Sequence, residues 1–263
     1  MNLVNYMEQV NKIEAVPDAF FNPLYEKLKM YYITGGMPEP VKMWTQERDV
    51  EQMQTVLSNI IGAYERDFAK HPDVKDGARA REYEDALQWL VDARLVSKIY
   101  CSTAPGLPIS AYDDLSAFKL YMADVGLLRR LSLLSSSAFT EGNRLFVEFK
   151  GALTENYVLE ALKNQFEATP RYWTMENPRY EVDFLIQRDN DIFPVEVKAE
   201  SNVESKSLKK FKEKYGEKVK LRIRFSLNNL MLNGDVLNIP LFMADYADKL
   251  IGLSLKSSNP LII

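Results

Sequence analysis

The chain has 263 residues, 46% hydrophobic and 27% charged, with a formal net charge of −4. That length accommodates one large or two medium domains of ordinary globular composition, and the negative balance argues against a protein that coats nucleic acid by bulk charge, while leaving room for a local basic groove. A single cysteine, Cys101, excludes an internal disulfide or a thiolate metal cluster, and a single histidine, His71, excludes a multi-histidine zinc site.

No apolar run approaches the ~20 residues that cross a bilayer. Met1 to Asp18 carries Glu8, Glu14 and Asp18 and does not resemble a secretory signal. A cytoplasmic location without membrane contact is therefore the expectation. Residues 1–18 are weakly patterned. A helix is predicted from about Pro17 to Tyr32, stopped by Gly35-Gly36-Met37-Pro38. Val50, Met53, Leu57, Ile60, Ile61, Tyr64 and Phe68 recur at helical spacing and predict one long helix with a buried stripe. His71, between Lys70 and Pro72-Asp73, reads as a solvated turn, and Asp73–Arg79 as a loop with Gly77. A further helix carries Tyr83, Ala86, Leu87 and Leu90 on one face. Val96–Cys101 and Phe118–Ala123 then read as strands flanking a turn at Pro105-Gly106. A helix followed by a short hairpin predicts a helical, winged-helix-like domain over residues 19–137, although other small α+β folds share that order. Val125–Leu134 reads as a short helix, and Ser132 with Ser135-Ser136-Ser137 as the linker.

Residues 138–263 predict an α/β domain: a helix from about Asn143 to Gln165, strands at Arg171–Thr174, Glu181–Gln187 and Ile192–Lys198, a helix over Lys206–Tyr215, strands at Val219–Phe225 and Ile239–Met243, and a terminal helix. Alternation along Glu181–Gln187 places Val182, Phe184 and Ile186 on one face and Glu181, Asp183, Leu185 and Gln187 on the other. In the next strand Phe193, Val195 and Val197 share one face, and Glu196 and Lys198 the opposite one. If the two strands pair across a turn at Arg188–Asp191, Asp183 and Glu196 come together. Two carboxylates and a nearby backbone carbonyl, that of Val197, suit Mg²⁺ or Mn²⁺, which prefer oxygen ligands. Lys198 beside them would orient or deprotonate an attacking water, whose acidity a divalent cation raises. Glu155 stands on a helical stripe with Ala152, Leu159 and Leu162, where a carboxylate is costly unless it is paired or faces a polar pocket. It would be an auxiliary carboxylate at the rim.

Each piece has a plainer reading. A Glu-x-Lys pair on a strand is most often a solvated face, Asp183 alone could be an edge charge, and Glu155 could pair with a lysine. The signal is the ordered set, followed by a basic stretch: Lys198 to Arg224 holds ten Lys/Arg against four Asp/Glu. In the helix there, Leu208, Phe211 and Tyr215 form the buried stripe. Lys206, Lys209 and Lys210 are candidates for phosphate contact, although exposed lysines are ordinary on a helix. Tyr172, Trp173 and Tyr180 could stack on bases, and are more often packing residues.

Taken together, Tyr32-Ile33-Thr34-Gly35-Gly36-Met37-Pro38-Glu39, the run Lys119 to Leu128, Gly151-Ala152-Leu153-Thr154-Glu155-Asn156, Glu181-Val182-Asp183-Phe184 and Val195-Glu196-Val197-Lys198 resemble a large prokaryotic family. It is the family of AAA-type ATPases that carry the domain of unknown function DUF4143. The resemblance covers about residues 20–250 and is to the C-terminal part of those proteins. It implies a restriction-endonuclease-like, PD-(D/E)xK fold for residues 138–263, with Glu155, Asp183, Glu196 and Lys198 matching the nuclease-like constellation. The chain departs from the family in having no G-x-x-x-x-G-K-[ST] motif, so no ATP site and no ATPase activity of its own are expected. Residues 1–18 then read as a remnant or extension beyond an ATPase region. Three functions stay open: a Mg²⁺-dependent DNA nuclease, an inactive nuclease-like module that binds nucleic acid, and a protein-interaction module serving an ATPase supplied in trans.

Overall fold

The computed structural model describes residues 3–68, 82–134, 144–176, 179–199 and 205–258. His71, the loop at Asp73–Arg79 and Ser135–Ser137, with the expected boundary at 137/138, lie outside the described residues. The chain is a mixed α+β structure with two compact units, one of Met1–Leu28, Ile99–Lys119 and Tyr157–Ile263, the other of Lys29–Lys98 and Leu120–Asn156. No helix among the described residues is long and apolar enough to cross a membrane.

Most of an eight-stranded mixed sheet belongs to the first unit. Its strands are β1 (Val96–Ser102), β2 (Asp113–Met122), β3 (Arg171–Met175), β4 (Tyr180–Arg188), β5 (Asp191–Val197), β6 (Arg222–Ser226), β7 (Met231–Asn233) and β8 (Val236–Pro240), in the order β2-β1-β3-β4-β5-β6-β8-β7. β1 and β2, expected as the hairpin of a winged-helix module, are the last two strands on one side, with β1 parallel to β3. β4 and β5 form the predicted antiparallel hairpin, pairing Phe184 with Val195 and Arg188 with Asp191. β5, β6 and β8 run parallel. Ile192 to Val197 are buried without interruption, as are Phe184, Leu185 and Ile186, so both faces of the central strands are covered. One cover is α8 (Lys206–Tyr215), whose Leu208 and Phe211 enter a core with Trp173, Val182, Leu185, Ile192 and Val219. α9 (Ala247–Ser258) supplies the buried Leu250, Ile251 and Ser254.

Strict alternation fails in β4. Arg171 pairs with Leu185 but Trp173 pairs with Val182, so two steps of β3 match three of β4. The extra residue is a bulge beside Asp183 and Phe184. It lets Val182 and Leu185, expected on opposite faces, share the core with α8.

α2 (Asp18–Thr34), of which only Lys29–Thr34 belong to the second unit, ends where Gly35 takes φ 68°, a left-handed conformation that glycine adopts without strain. Pro38 does more than stop a helix. It opens α3 (Pro38–Glu47), at a position where its missing N–H is not needed. The predicted stripe of α4 (Val50–Phe68) buries Met53 and Leu57 fully, with Val50, Ile60, Ile61 and Tyr64 packed around them and Ile33 and Leu127. Each such burial contributes roughly 1.5–3 kcal/mol. The unit also holds α5 (Glu82–Asp92), α6 (Val125–Leu131) and most of α7 (Arg144–Lys163). α1 (Leu3–Gln9), not foreseen in the weakly patterned N-terminus, belongs to the first unit.

Candidate functional site

Four strands of the first unit present a row of polar side chains within their apolar sheet. The parallel register sets Glu196 of β5 beside Arg224 of β6, and Arg224 beside Asn238 of β8. Continuing the β4–β5 pairing by one step brings Asp183 opposite Glu196. Asp183, half-buried at the bulge, accepts a hydrogen bond on Oδ2 from the backbone N–H of Val197 at 2.7 Å. That contact anchors the Asp183 carboxylate on β5, next to Glu196.

Glu196 is only 3% exposed. Its Oε1 lies 2.8 Å from Nζ of Lys198, two residues on along the same face as predicted, while its Oε2 is buried with no hydrogen-bond partner. A carboxylate oxygen withdrawn from water without a donor is costly, so the geometry suits a cation at Oε2. The side chain of Lys198 is 36% exposed, and its backbone N–H donates to the Phe225 carbonyl at 2.8 Å, which fixes the root of the residue on β6.

Arg224 was not singled out from the sequence. Its Nε donates to Asn238 Oδ1 at 2.9 Å, and Ser226 Oγ donates to the same oxygen at 2.7 Å. Asn238, buried, returns its amide N–H groups to the carbonyls of Asn228 and Asn229. Burial holds the Arg224 guanidinium below its ordinary pKa, opposed by the negative charge of Glu196. The alternation Arg222, Arg224, Ser226 against Ile223 and Phe225 was the available signal for a polar face on β6.

The other predicted residues distribute differently. Glu155 belongs to the second unit, where its Oε2 accepts from the Tyr121 hydroxyl at 3.4 Å. Ala152, expected on the same buried stripe, is exposed. Val197 has its side chain buried and its N–H held by Asp183. Lys206 and Lys209 are exposed on α8, and Lys210 pairs with Glu213 at 3.2 Å. Tyr172 and Trp173 are buried core residues, and Trp173 Nε1 donates to the Tyr215 hydroxyl at 3.1 Å, so neither offers a face for base stacking. Among the described residues, no group of three or more His, Cys, Asp or Glu is placed to hold a metal. Any cation site here would therefore rest on two carboxylates and backbone oxygen.

The fold and the row define a mixed α+β protein with a partly buried charged site on its central strands. Residues 150–242 match the family model described as domain of unknown function DUF4143, which bears out the DUF4143 part of the resemblance read from the sequence motifs. That stretch includes Asp183, Glu196, Lys198, Arg224 and Asn238. Residues 25–81 and 72–138 match a second model, domain of unknown function DUF8612, which the motifs did not point to. No curated protein and no solved structure matches the chain.

Proposed function

We propose that the first unit carries a divalent-metal-dependent phosphodiesterase site of the PD-(D/E)xK kind that acts on DNA. The observation that carries this reading is Glu196 Oε2, a buried carboxylate oxygen without a donor beside the anchored Asp183 and the partly exposed Lys198. Asp183, Glu196 and the Val197 carbonyl would hold Mg²⁺ or Mn²⁺, hard cations that take oxygen ligands and tolerate a small protein donor set. Such an ion, when bound, supplies Lewis acidity toward a phosphoryl oxygen and makes a water more acidic. Lys198 orients that water through its ammonium group, and its contact with Glu196 holds it at the site. Lys206, Lys209 and Lys210 would contact the DNA backbone.

A second reading, a protein-interaction module that works with an AAA-type ATPase in trans, is favoured by the edge strand β2. Leu115, 71% exposed, lies on it, as does the partly exposed Phe118, whose ring meets Tyr100 edge-on.

Incubation of supercoiled plasmid and single-stranded DNA with the chain and Mg²⁺ or Mn²⁺ tests the first reading. Metal-dependent cleavage is expected from the wild type and is expected to vanish in Asp183→Ala and Lys198→Ala, with metal binding retained in Lys198→Ala. No cleavage by the wild type under any of these conditions, together with co-purification of an ATPase, would favour the second.

A further inference from the structure

Among the described residues, the polar row pairs two carboxylates with two side-chain cations. Asp183 and Glu196 supply two negative charges, and Lys198 and Arg224 supply two positive ones. Lys198 is in direct contact with Glu196 at 2.8 Å, and Arg224 faces Glu196 across the β5–β6 register. The Arg224 head is further fixed by Asn238, itself held by Ser226 and by two backbone carbonyls. A dication entering this row alone meets carboxylates that are already offset. It must compete with Lys198 for Glu196 and lie near a second immobile cation, in surroundings where water screens poorly. An anionic phosphate removes that obstacle, because it supplies negative charge between the ion and the two side-chain cations.

We infer that Arg224, held by Asn238, is a phosphate-binding residue that makes this a co-binding site, which takes up a divalent cation together with a phosphodiester rather than ahead of it. The inference rests on the metal-site reading above and adds a residue and an order of assembly to it. Arg224 is suited to the task because its planar guanidinium presents several donors in a rigid fork that matches phosphate oxygens. The Asn238 contact restrains it, so little side-chain freedom is lost when phosphate arrives. The coupling is reciprocal: if phosphodiester strengthens cation binding, the cation strengthens phosphodiester binding by the same factor.

The test is calorimetric titration of Mn²⁺ into the full chain, alone and with saturating thymidine dinucleotide, which offers one phosphodiester. The wild type is expected to bind Mn²⁺ at least about fivefold more tightly with the dinucleotide present, and the reverse titration to give the same factor. In Arg224→Met, Mn²⁺ alone is expected to bind more tightly than to the wild type, and the dinucleotide to add almost nothing. Arg224→Lys, which keeps the charge, is expected to retain part of the coupling. Equal Mn²⁺ affinity in the wild type with and without dinucleotide would overturn the inference and leave the metal site standing. Absence of Mn²⁺ binding in both conditions would overturn the metal site and the inference together. Full coupling in Arg224→Met would remove Arg224 from the site.

Discussion

Asp124 and Arg129 in the second unit are as buried as Glu196 in the first, yet their hydrogen bonds run to different partners. The Asp124 carboxylate caps α6 through the Leu127 N–H at 2.9 Å and takes the Gly36 N–H at 2.6 Å. Arg129, 0% exposed, donates from Nε to the Ile33 carbonyl at 3.2 Å and from a terminal nitrogen to the Leu134 carbonyl at 2.7 Å. It therefore serves the C-terminal end of α2 and the turn that follows α6, while its other terminal nitrogen is a buried donor without a partner. Burial pulls its pKa down to about 10, with the charge of Arg130 acting in the same direction. In the first unit, Glu196, Lys198 and Arg224 answer one another and Asn238 through side chains, and one carboxylate oxygen is left over. Charge that meets backbone at helix ends holds a fold together. Charge that meets other side chains and leaves an acceptor open can exchange partners with a ligand.

The sharpest way to break the contrast is Gly126→Val. A Cβ at Gly126 would lie 2.6 Å from the Gly35 nitrogen and 2.7 Å from the Thr34 carbonyl oxygen, both backbone atoms that cannot turn aside. A loss of about 3 kcal/mol is expected, read as a fall in the urea midpoint of the second unit. An unchanged midpoint would mean that the α2–α6 junction is not tightly packed. Asp124→Ala removes a helix cap and leaves the Gly36 N–H without its acceptor, for a loss of about 2 kcal/mol by the same measurement. Asp124→Asn should recover part of that loss.

A smaller effect is expected at Asp235, which pairs with Arg222 and Lys212 at the start of β6. Burial would raise its carboxyl, but the hydrogen bonds and positive charges of Arg222 and Lys212 outweigh burial and hold the pKa below the ordinary value. A carboxyl lowered in the folded state stabilises the protein above its unfolded pKa, and that contribution is lost as pH falls through the folded value. Asp235→Asn should therefore cost under about 1 kcal/mol at pH 7 and nothing in strong acid, where wild type and variant converge. A difference that persists at low pH would assign the residue a packing role.

The smallest change in stability is expected from Glu196→Gln. An amide of the same shape removes a buried charge whose pairing is incomplete, so stability should stay within about 1 kcal/mol or rise. Mn²⁺ binding, followed by calorimetry, should be lost. A variant that unfolds readily and still binds Mn²⁺ would make the row structural and erase the contrast between the two units.

The motif residues behind the family resemblance divide along the same line. Gly35, Gly36, Asp124, Gly126 and Leu127 meet at one junction, and Asn156 clamps Met122 by accepting from its N–H at 2.8 Å and donating to its carbonyl at 3.0 Å. These motifs are recognisable because close backbone approach and backbone satisfaction leave few alternatives at those positions. The pair Asp183 and Glu196 was also legible, because a hairpin with a short turn has its register set by the turn itself.

The sequence by itself determined the long helix from Val50, the β4–β5 hairpin, α8 and the side-by-side placement of Glu196 and Lys198, all consequences of period and of contacts local in the chain. Only the tertiary structure decided the rest. The β4 bulge depends on pairing with β3, and Arg224 and Asn238 join the site through parallel strand pairs that no local pattern encodes. Pro38 begins a helix rather than ending one, because the same missing N–H that breaks a helix interior is harmless in its first turn. The place of β1 and β2 in the sheet has the same origin. Neighbours in a sheet are chosen by burial of both faces, and that choice is made between segments far apart in the chain.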